Sequence, residues 1–175
     1  MFDLRTALTA EHSKSKALLI VDWIGDDVER HRQLMDLFFS AEYQIHQRSA
    51  WVVILSYQEQ PHLIQPYLVK LVDNLDNPVH DAVIRNTIRI FEEVNIPEEI
   101  EGKLYDKCIK YLTSPKYAVA IRAFSMTVAS RIAIKYPELK EELIEVIELF
   151  DKHEQKPGFH SRAKKTLKIL RKKNN

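Results

Sequence analysis

The residues best suited to chemistry in this 175-residue chain are arginines that recur at regular intervals. Successive members of the set lie 37, 37 and 40 residues apart: Arg48, Arg85, Arg122 and Arg162. A guanidinium group pairs with carboxylates and phosphates in a fixed two-pronged geometry, so a row of them on one face would recognise phosphate groups. Alternatively, each arginine braces its own repeating unit, with Asp36 and Asp73 as candidate partners. Recurrence at a fixed spacing favours the structural role, because every unit then needs the same internal contact.

The histidines and the cysteine do not follow a pattern typical of a metal site, a cofactor site or an activated nucleophile. The seven histidines form no HExxH motif and no pair at i, i+4, the spacing that places two metal ligands on one helix face. The pair His80-Asp81 resembles the dyad of HD-domain phosphohydrolases, but His80 falls in a predicted turn, where polar residues are expected anyway. Cys108, the single cysteine, lies on an apolar helix face, and burial makes a thiol inert. We therefore expect no metal, no cofactor and no catalytic residues, and the sequence favours a non-enzymatic protein.

The charge is distributed unevenly along the chain. The formal net charge is only +1, yet residues 156–175 include eight basic and no acidic side chains, which leaves residues 1–155 with a net charge of −7. A basic end of this kind can attract nucleic acid or an acidic protein surface. A solvated terminal helix whose lysines favour the negative end of the helix dipole explains the same pattern, and that simpler explanation is favoured.

The apolar runs are too short for a membrane protein. The longest are residues 17–21 and 50–55, whereas a membrane-spanning helix needs roughly 20 apolar residues. Residues 2–10 include Asp3 and Arg5 and lack the apolar core of a secretory signal. We therefore expect a soluble, cytoplasmic protein with no membrane partner.

Helical periodicity dominates the sequence. Apolar residues recur on one helix face between residues 63 and 75 and again between 139 and 150, whereas no pair of alternating runs is joined by an Asn-Gly or Asp-Gly turn. Pro61, Pro97 and Pro137 recur at intervals of 36 and 40 residues, each where a helix would begin, and proline is well tolerated there. A period of 37–40 residues that contains two helices is typical of an α-solenoid.

The predicted architecture is all-α, with an N-terminal helical cap at about 3–24 and four helix pairs in one domain spanning 1–175. The four pairs are expected at about 26–57, 61–95, 98–136 and 138–172. Within them, the helices are expected at 26–40 and 44–57, 61–75 and 79–95, 98–112 and 117–136, and 138–151 and 158–172.

The turn-to-helix stretches resemble those of HEAT repeats, in which a turn joins two antiparallel helices and an arginine lies early in the second helix. The resemblance rests on three stretches: Asn77-Pro78 through Ile84-Arg85, Ser114-Pro115 through Ile121-Arg122, and Ser161-Arg162-Ala163. It implies a right-handed α-α superhelix whose second helices line a concave groove. Lys110 stands where the 37-residue register expects an aspartate, so the Asp–Arg ladder of many HEAT arrays is not expected in the third repeat.

A HEAT-like array implies a non-catalytic scaffold or protein–protein interaction module that binds a partner along its groove. The groove candidates are Asn86, Arg89, Arg131, Lys165 and Lys168. The alternative is DNA binding, because the DNA alkylation repair glycosylases are also HEAT-like and use aromatic residues, an aspartate and arginines. Two features oppose it: Trp51 falls in an all-apolar helix and is expected in the core, and an acidic body repels phosphates. The basic C-terminal helix is the segment that favours nucleic acid.

Overall fold

Every regular element in the described part of the protein is helical. The computed structural model describes residues 2–40, 42–76 and 80–172, and within them ten α-helices and one 3-10 helix occur with no β-strand. The predicted all-α class is confirmed. None of the described helices combines the length and the apolar character that crossing a bilayer requires. The α-helices, in chain order, are α1 Leu4–Thr9, α2 Lys14–Ile24, α3 Val28–Phe38, α4 Tyr43–Glu59, α5 Leu68–Asn74, α6 Asp81–Ile90, α7 Glu98–Thr113, α8 Val119–Ala133, α9 Pro137–His153 and α10 Pro157–Leu170.

Most of the predicted helix bounds hold to within about three residues, but two helices differ from the prediction. The helix expected at 61–75 is instead a 3-10 helix, Pro61–Tyr67, followed by α5. Pro66 lies inside that segment, and a proline has no N–H to donate and crowds the preceding turn. The helix expected at 79–95 ends at Ile90, and turns at residues 91–93 follow it.

The connection between α2 and α3 shows how single residues set the helix ends. Gly25 caps α2 with a φ of +51°, a backbone region that favours glycine. Two residues later, Asp27 Oδ1 accepts the backbone N–H groups of Glu29 (2.9 Å) and Arg30 (3.0 Å). These bonds satisfy two of the donors left unpaired at the start of α3, so the turn and the helix start are encoded locally.

Residues 1–90 form a compact unit that is organised around α4. This helix packs against α1, α2, α3, the 3-10 helix and α6. Val52, Val53 and Ile54 are almost wholly buried at its centre, as expected for a helix enclosed by neighbours. Each such side chain contributes about 1.5–3 kcal/mol on burial, so the centre of α4 contributes strongly to the stability of this unit.

Residues 91–175 form a second compact unit, organised around α8. This helix packs against α7, α9 and α10, with Met126 and Val128 fully buried. Cys108 on α7 is also fully buried, as its apolar helix face predicts, and burial raises the pKa of its thiol. The single-domain, superhelical arrangement expected for residues 1–175 stays a prediction.

Candidate partner-binding surface

Charge is divided between the two kinds of helix. The second helices of the four pairs, α4, α6, α8 and α10, carry nine basic and two acidic side chains. The first helices, namely α3, the 3-10 helix with α5, α7 and α9, carry eight basic and thirteen acidic side chains. The difference arises mainly in residues 91–175, where α8 and α10 carry six basic and no acidic side chains and α7 and α9 carry five basic and ten acidic ones. In residues 1–90 both kinds of helix are close to neutral.

Each unit exposes part of its second helices, and we call these surfaces the second-helix faces. In the first unit the face consists of Gln47, Trp51, Arg85 and Arg89, which are half-buried on α4 and exposed on α6. In the second unit it consists of Phe124, Thr127, Arg131, Lys165 and Lys168, which are half-buried on α8 and exposed on α10. Aromatic and basic side chains thus predominate on both faces.

A cavity of about 260 Å³ opens on the face of the first unit, and we call it the α4–α6 pocket. It is lined by His12, Gln47, Trp51, Ala82, Arg85 and Asn86. Trp51 is half-buried here, with the His12 ring 5.2 Å from its own, so the expectation that it belongs to the core is corrected. Because a helix turns about 100° per residue, the apolar run places Val52 and Val53 in the core but carries Trp51 to its edge.

Asn86 and Arg85 form a linked pair in the wall of this pocket. Asn86 Nδ2 donates to the carbonyl oxygen of Ala50 (2.8 Å), and its Oδ1 accepts from Arg85 Nε (3.5 Å). Asn86 is only 3% exposed, and its contact with a partner stays a prediction. Arg85 is exposed, and Arg89 lies exposed one helical turn further along α6. Asn86 therefore positions Arg85, and the two arginines face outward.

Two of the other recurrent arginines bond to groups inside their own unit. Arg48 Nη1 donates to the carbonyl oxygens of Leu8 (2.9 Å) and Ala10 (3.0 Å). The candidate partner Asp36 accepts instead from Arg32 on its own helix (2.8 Å), because the side chain one turn away is closer than the next repeat. Arg162 Nη1 donates to a Glu92 carboxylate oxygen (2.7 Å) and to the Thr127 hydroxyl.

Arg122 is the most buried member of the set. Its Nε donates to the carbonyl oxygen of Leu112 (3.0 Å), its Nη1 bonds the Glu154 carboxylate, and its guanidinium carbon lies 4.4 Å from the Phe159 ring centroid. Burial of Glu154 opposes ionisation, but the Gln155 N–H and the Arg122 guanidinium outweigh it and lower the pKa of that carboxyl. Arg122 thus ties α7, α8 and α10 together.

The candidate groove residues of the second unit differ in whether their polar groups already bond to other residues of the protein. Arg131 is half-buried, and its Nη1 donates to the carbonyl oxygen of Phe91 (2.5 Å). Lys165 and Lys168 are exposed on α10 and form no ion pair with any described residue. These two ammonium groups are available to a ligand, whereas Arg131 has one donor already in use.

His80 has a structural role in the first unit. Its Nδ1 accepts the backbone N–H of Ala82 (2.9 Å) at the start of α6, and its ring lies 5.2 Å from that of Tyr43. Across residues 2–40, 42–76 and 80–172, no three or more His, Cys, Asp or Glu side chains are grouped so that they could hold a metal ion.

An all-α chain of successive helix pairs, with a buried arginine bracing one pair to the next, defines a helical-repeat protein. A family model, the HEAT repeat domain, matches residues 4–170. The chain therefore belongs to the HEAT repeat family, and the resemblance noted in its turn-to-helix stretches is confirmed. No curated protein and no solved structure matches the chain.

Proposed function

We propose that this HEAT repeat protein is a non-catalytic scaffold that binds a segment of a partner protein along its second-helix faces. HEAT repeats generally mediate protein interactions, which supports the class of function. The division of charge between first and second helices carries the more specific proposal, because it marks one set of helices as a surface for a partner of opposite charge. A cytoplasmic location belongs to the same proposal.

Photo-crosslinking tests whether partners meet the second helices. A benzoyl-phenylalanine replaces Gln47 or Phe124 on the second-helix faces, and Val69 or Glu145 on the first helices α5 and α9 serves as the control. We expect the two second-helix positions to yield the same protein adduct in lysates of cells that express the protein, and the control positions to yield much less. Mass spectrometry identifies the adduct.

The comparison between positions decides the result. Equal labelling from α5 and α9, or different proteins from Gln47 and Phe124, would contradict the binding of one partner at the second-helix faces. An adduct that nuclease treatment destroys would instead support the nucleic-acid alternative. Competition by an excess of the unmodified chain distinguishes specific adducts from random ones.

Nucleic-acid binding is a second candidate because α10 presents three lysines to solvent: Lys164, Lys165 and Lys168. If phosphates bind there, affinity for a DNA duplex must fall steeply with salt, since binding releases counterions. Replacing all three lysines by glutamate is then expected to weaken binding by more than about 10-fold, as a gel-shift titration would show. A variant with Lys70→Glu on α5 is the control, and an unchanged affinity in the triple variant would exclude α10 as the site.

A further inference from the structure

The α4–α6 pocket has the chemistry of an anchor for an acidic segment. Its described lining combines one guanidinium, one indole, one imidazole and two carboxamides, with no carboxylate among them. Asn86 holds Arg85 through Nε, and no described residue bonds to Nη1 or Nη2. Those two nitrogens are the pair that a carboxylate engages with two parallel hydrogen bonds, the strongest form of this contact.

Arg89 extends the basic site beyond the pocket. It lies four residues after Arg85, so the two side chains are neighbours on the helix surface, about 5–6 Å apart at Cβ. Neither forms an ion pair with a described acidic residue. Like charges one turn apart destabilise a helix, and an anionic ligand removes that penalty. The arrangement therefore fits successive acidic side chains better than a single one.

Trp51 supplies an apolar wall beside these cations. The indole is half-buried, packs against the His12 ring at 5.2 Å and borders the same cavity as Arg85. Tryptophan and arginine are the residue types most enriched at the energetic centres of protein interfaces. A partner that places an aromatic residue next to its acidic ones would use both features together.

Two guanidinium groups favour a polypeptide over a nucleic acid here. Affinity for nucleic acid grows with the number of phosphates neutralised, and only Arg85 and Arg89 are offered on this face. The first unit as a whole also carries nine basic and twelve acidic residues, which repels an extended polyphosphate. A peptide segment with an acidic side chain next to an aromatic one carries far less charge than a polyphosphate, and its aromatic ring can occupy the pocket.

We propose that the α4–α6 pocket anchors an acidic protein segment, with a carboxylate on Arg85, a second acidic side chain at Arg89 and an aromatic side chain against Trp51. This inference rests on the proposed function, the binding of a partner segment at the second-helix faces. It adds the chemistry of that segment and the point where it is held.

The test uses the full chain and a short fluorescein-labelled peptide in which one Phe lies beside two acidic residues, and fluorescence anisotropy measures its binding. Arg85→Gln and Arg89→Gln are each expected to weaken binding by about 10-fold, the equivalent of about 1.4 kcal/mol. Lys70→Gln on α5 removes the same charge from an exposed site and is expected to change affinity less than about 2-fold. Circular dichroism confirms that each variant is folded.

Trp51 provides a second readout that does not require a destabilising substitution. The chain has two tryptophans, so Trp23→Phe leaves Trp51 as the single indole reporter. Its emission is expected to shift when the acidic peptide binds, and Trp51→Phe in an otherwise unchanged chain is expected to weaken the peptide severalfold. An unchanged emission spectrum at saturating peptide would place the peptide elsewhere.

Three probe variants separate the explanations. Replacing the peptide's acidic residues with Gln and Asn, or its Phe with Ala, is expected to weaken binding, whereas a single-stranded oligonucleotide of equal charge is expected to compete poorly. Binding that is unaffected by Arg85→Gln, or an oligonucleotide that competes equally well, overturns the inference. If the peptide does not bind but Gln47 and Phe124 still crosslink one partner, the proposed function is supported and only the acidic anchor at the α4–α6 pocket is wrong. If neither position crosslinks, the proposed function itself fails.

Discussion

Replacing Arg122 by alanine is expected to lower the free energy of unfolding by about 3 kcal/mol. The guanidinium side chain is 5% exposed and that of its partner Glu154 is 11% exposed, so both charges lie largely out of water. Removal of one partner leaves the other charge buried without compensation, and it also orphans the carbonyl oxygen of Leu112. Urea denaturation followed by circular dichroism measures the change.

Two further variants show whether burial of the Arg122–Glu154 ion pair causes this loss of stability. Arg32 forms two ion pairs on α3 but is about half exposed, so Arg32→Ala is expected to have a much smaller effect. Arg122→Lys keeps the charge but lacks the planar fork that reaches both Leu112 and Glu154, and an intermediate loss is expected. Equal losses from Arg122→Ala and Arg32→Ala would show that the buried pair has no special role.

Stability is expected to decrease by about 2 kcal/mol between pH 7 and pH 5 because of His31. This side chain is 1% exposed, and its Nε2 has no hydrogen-bond partner among the described residues. Burial, with a smaller effect of the His62 charge, lowers its pKa to about 4. His31 takes up a proton near pH 6.5 in the unfolded chain but only near pH 4 in the folded chain. Protonation therefore favours the unfolded state, and the free energy of unfolding decreases as the pH falls from about 6.5 towards 4.

The His31→Gln variant isolates that contribution. Since glutamine does not titrate, the free energy of unfolding of the variant is expected to change less between pH 7 and pH 5 than that of the native chain. The slope is the readout, so the result does not depend on how far the substitution shifts stability overall. His46 on α4 adds a smaller change of the same sign, because burial also lowers its pKa. If the free energy of unfolding depends on pH in the same way in the native and variant chains, burial does not lower the pKa of His31.

The helices could be predicted because the signals that set them are local. Pro97 and Pro137 mark the starts of α7 and α9, and the apolar stripes between such marks give helix length. The sequence pattern does not reveal Pro66 as a helix breaker, because the apolar stripe from 63 to 75 continues through it. The spacing of apolar residues does not change when one N–H donor is lost. Patterning reports which side of a segment is buried, not whether its hydrogen bonds can form.

The roles of individual arginines were less predictable, because they depend on residues from elsewhere in the chain. Arg85 and Arg122 occupy the same register, yet Arg122 is buried against Glu154, 32 residues later, whereas Arg85 is exposed at a pocket. Spacing alone identified the set, but the identity of the neighbouring residue decides which member braces the fold and which faces solvent.

The division of charge between first and second helices has a consequence for the isolated protein. A molecule whose net charge is close to zero has little overall repulsion to keep its copies apart, and patches of opposite sign attract when little salt is present. A head-to-tail contact between the basic helices of one copy and the acidic helices of another can continue into rings or chains of copies. We therefore expect reversible clustering and turbidity in dilute buffers, and a dispersed protein at moderate ionic strength.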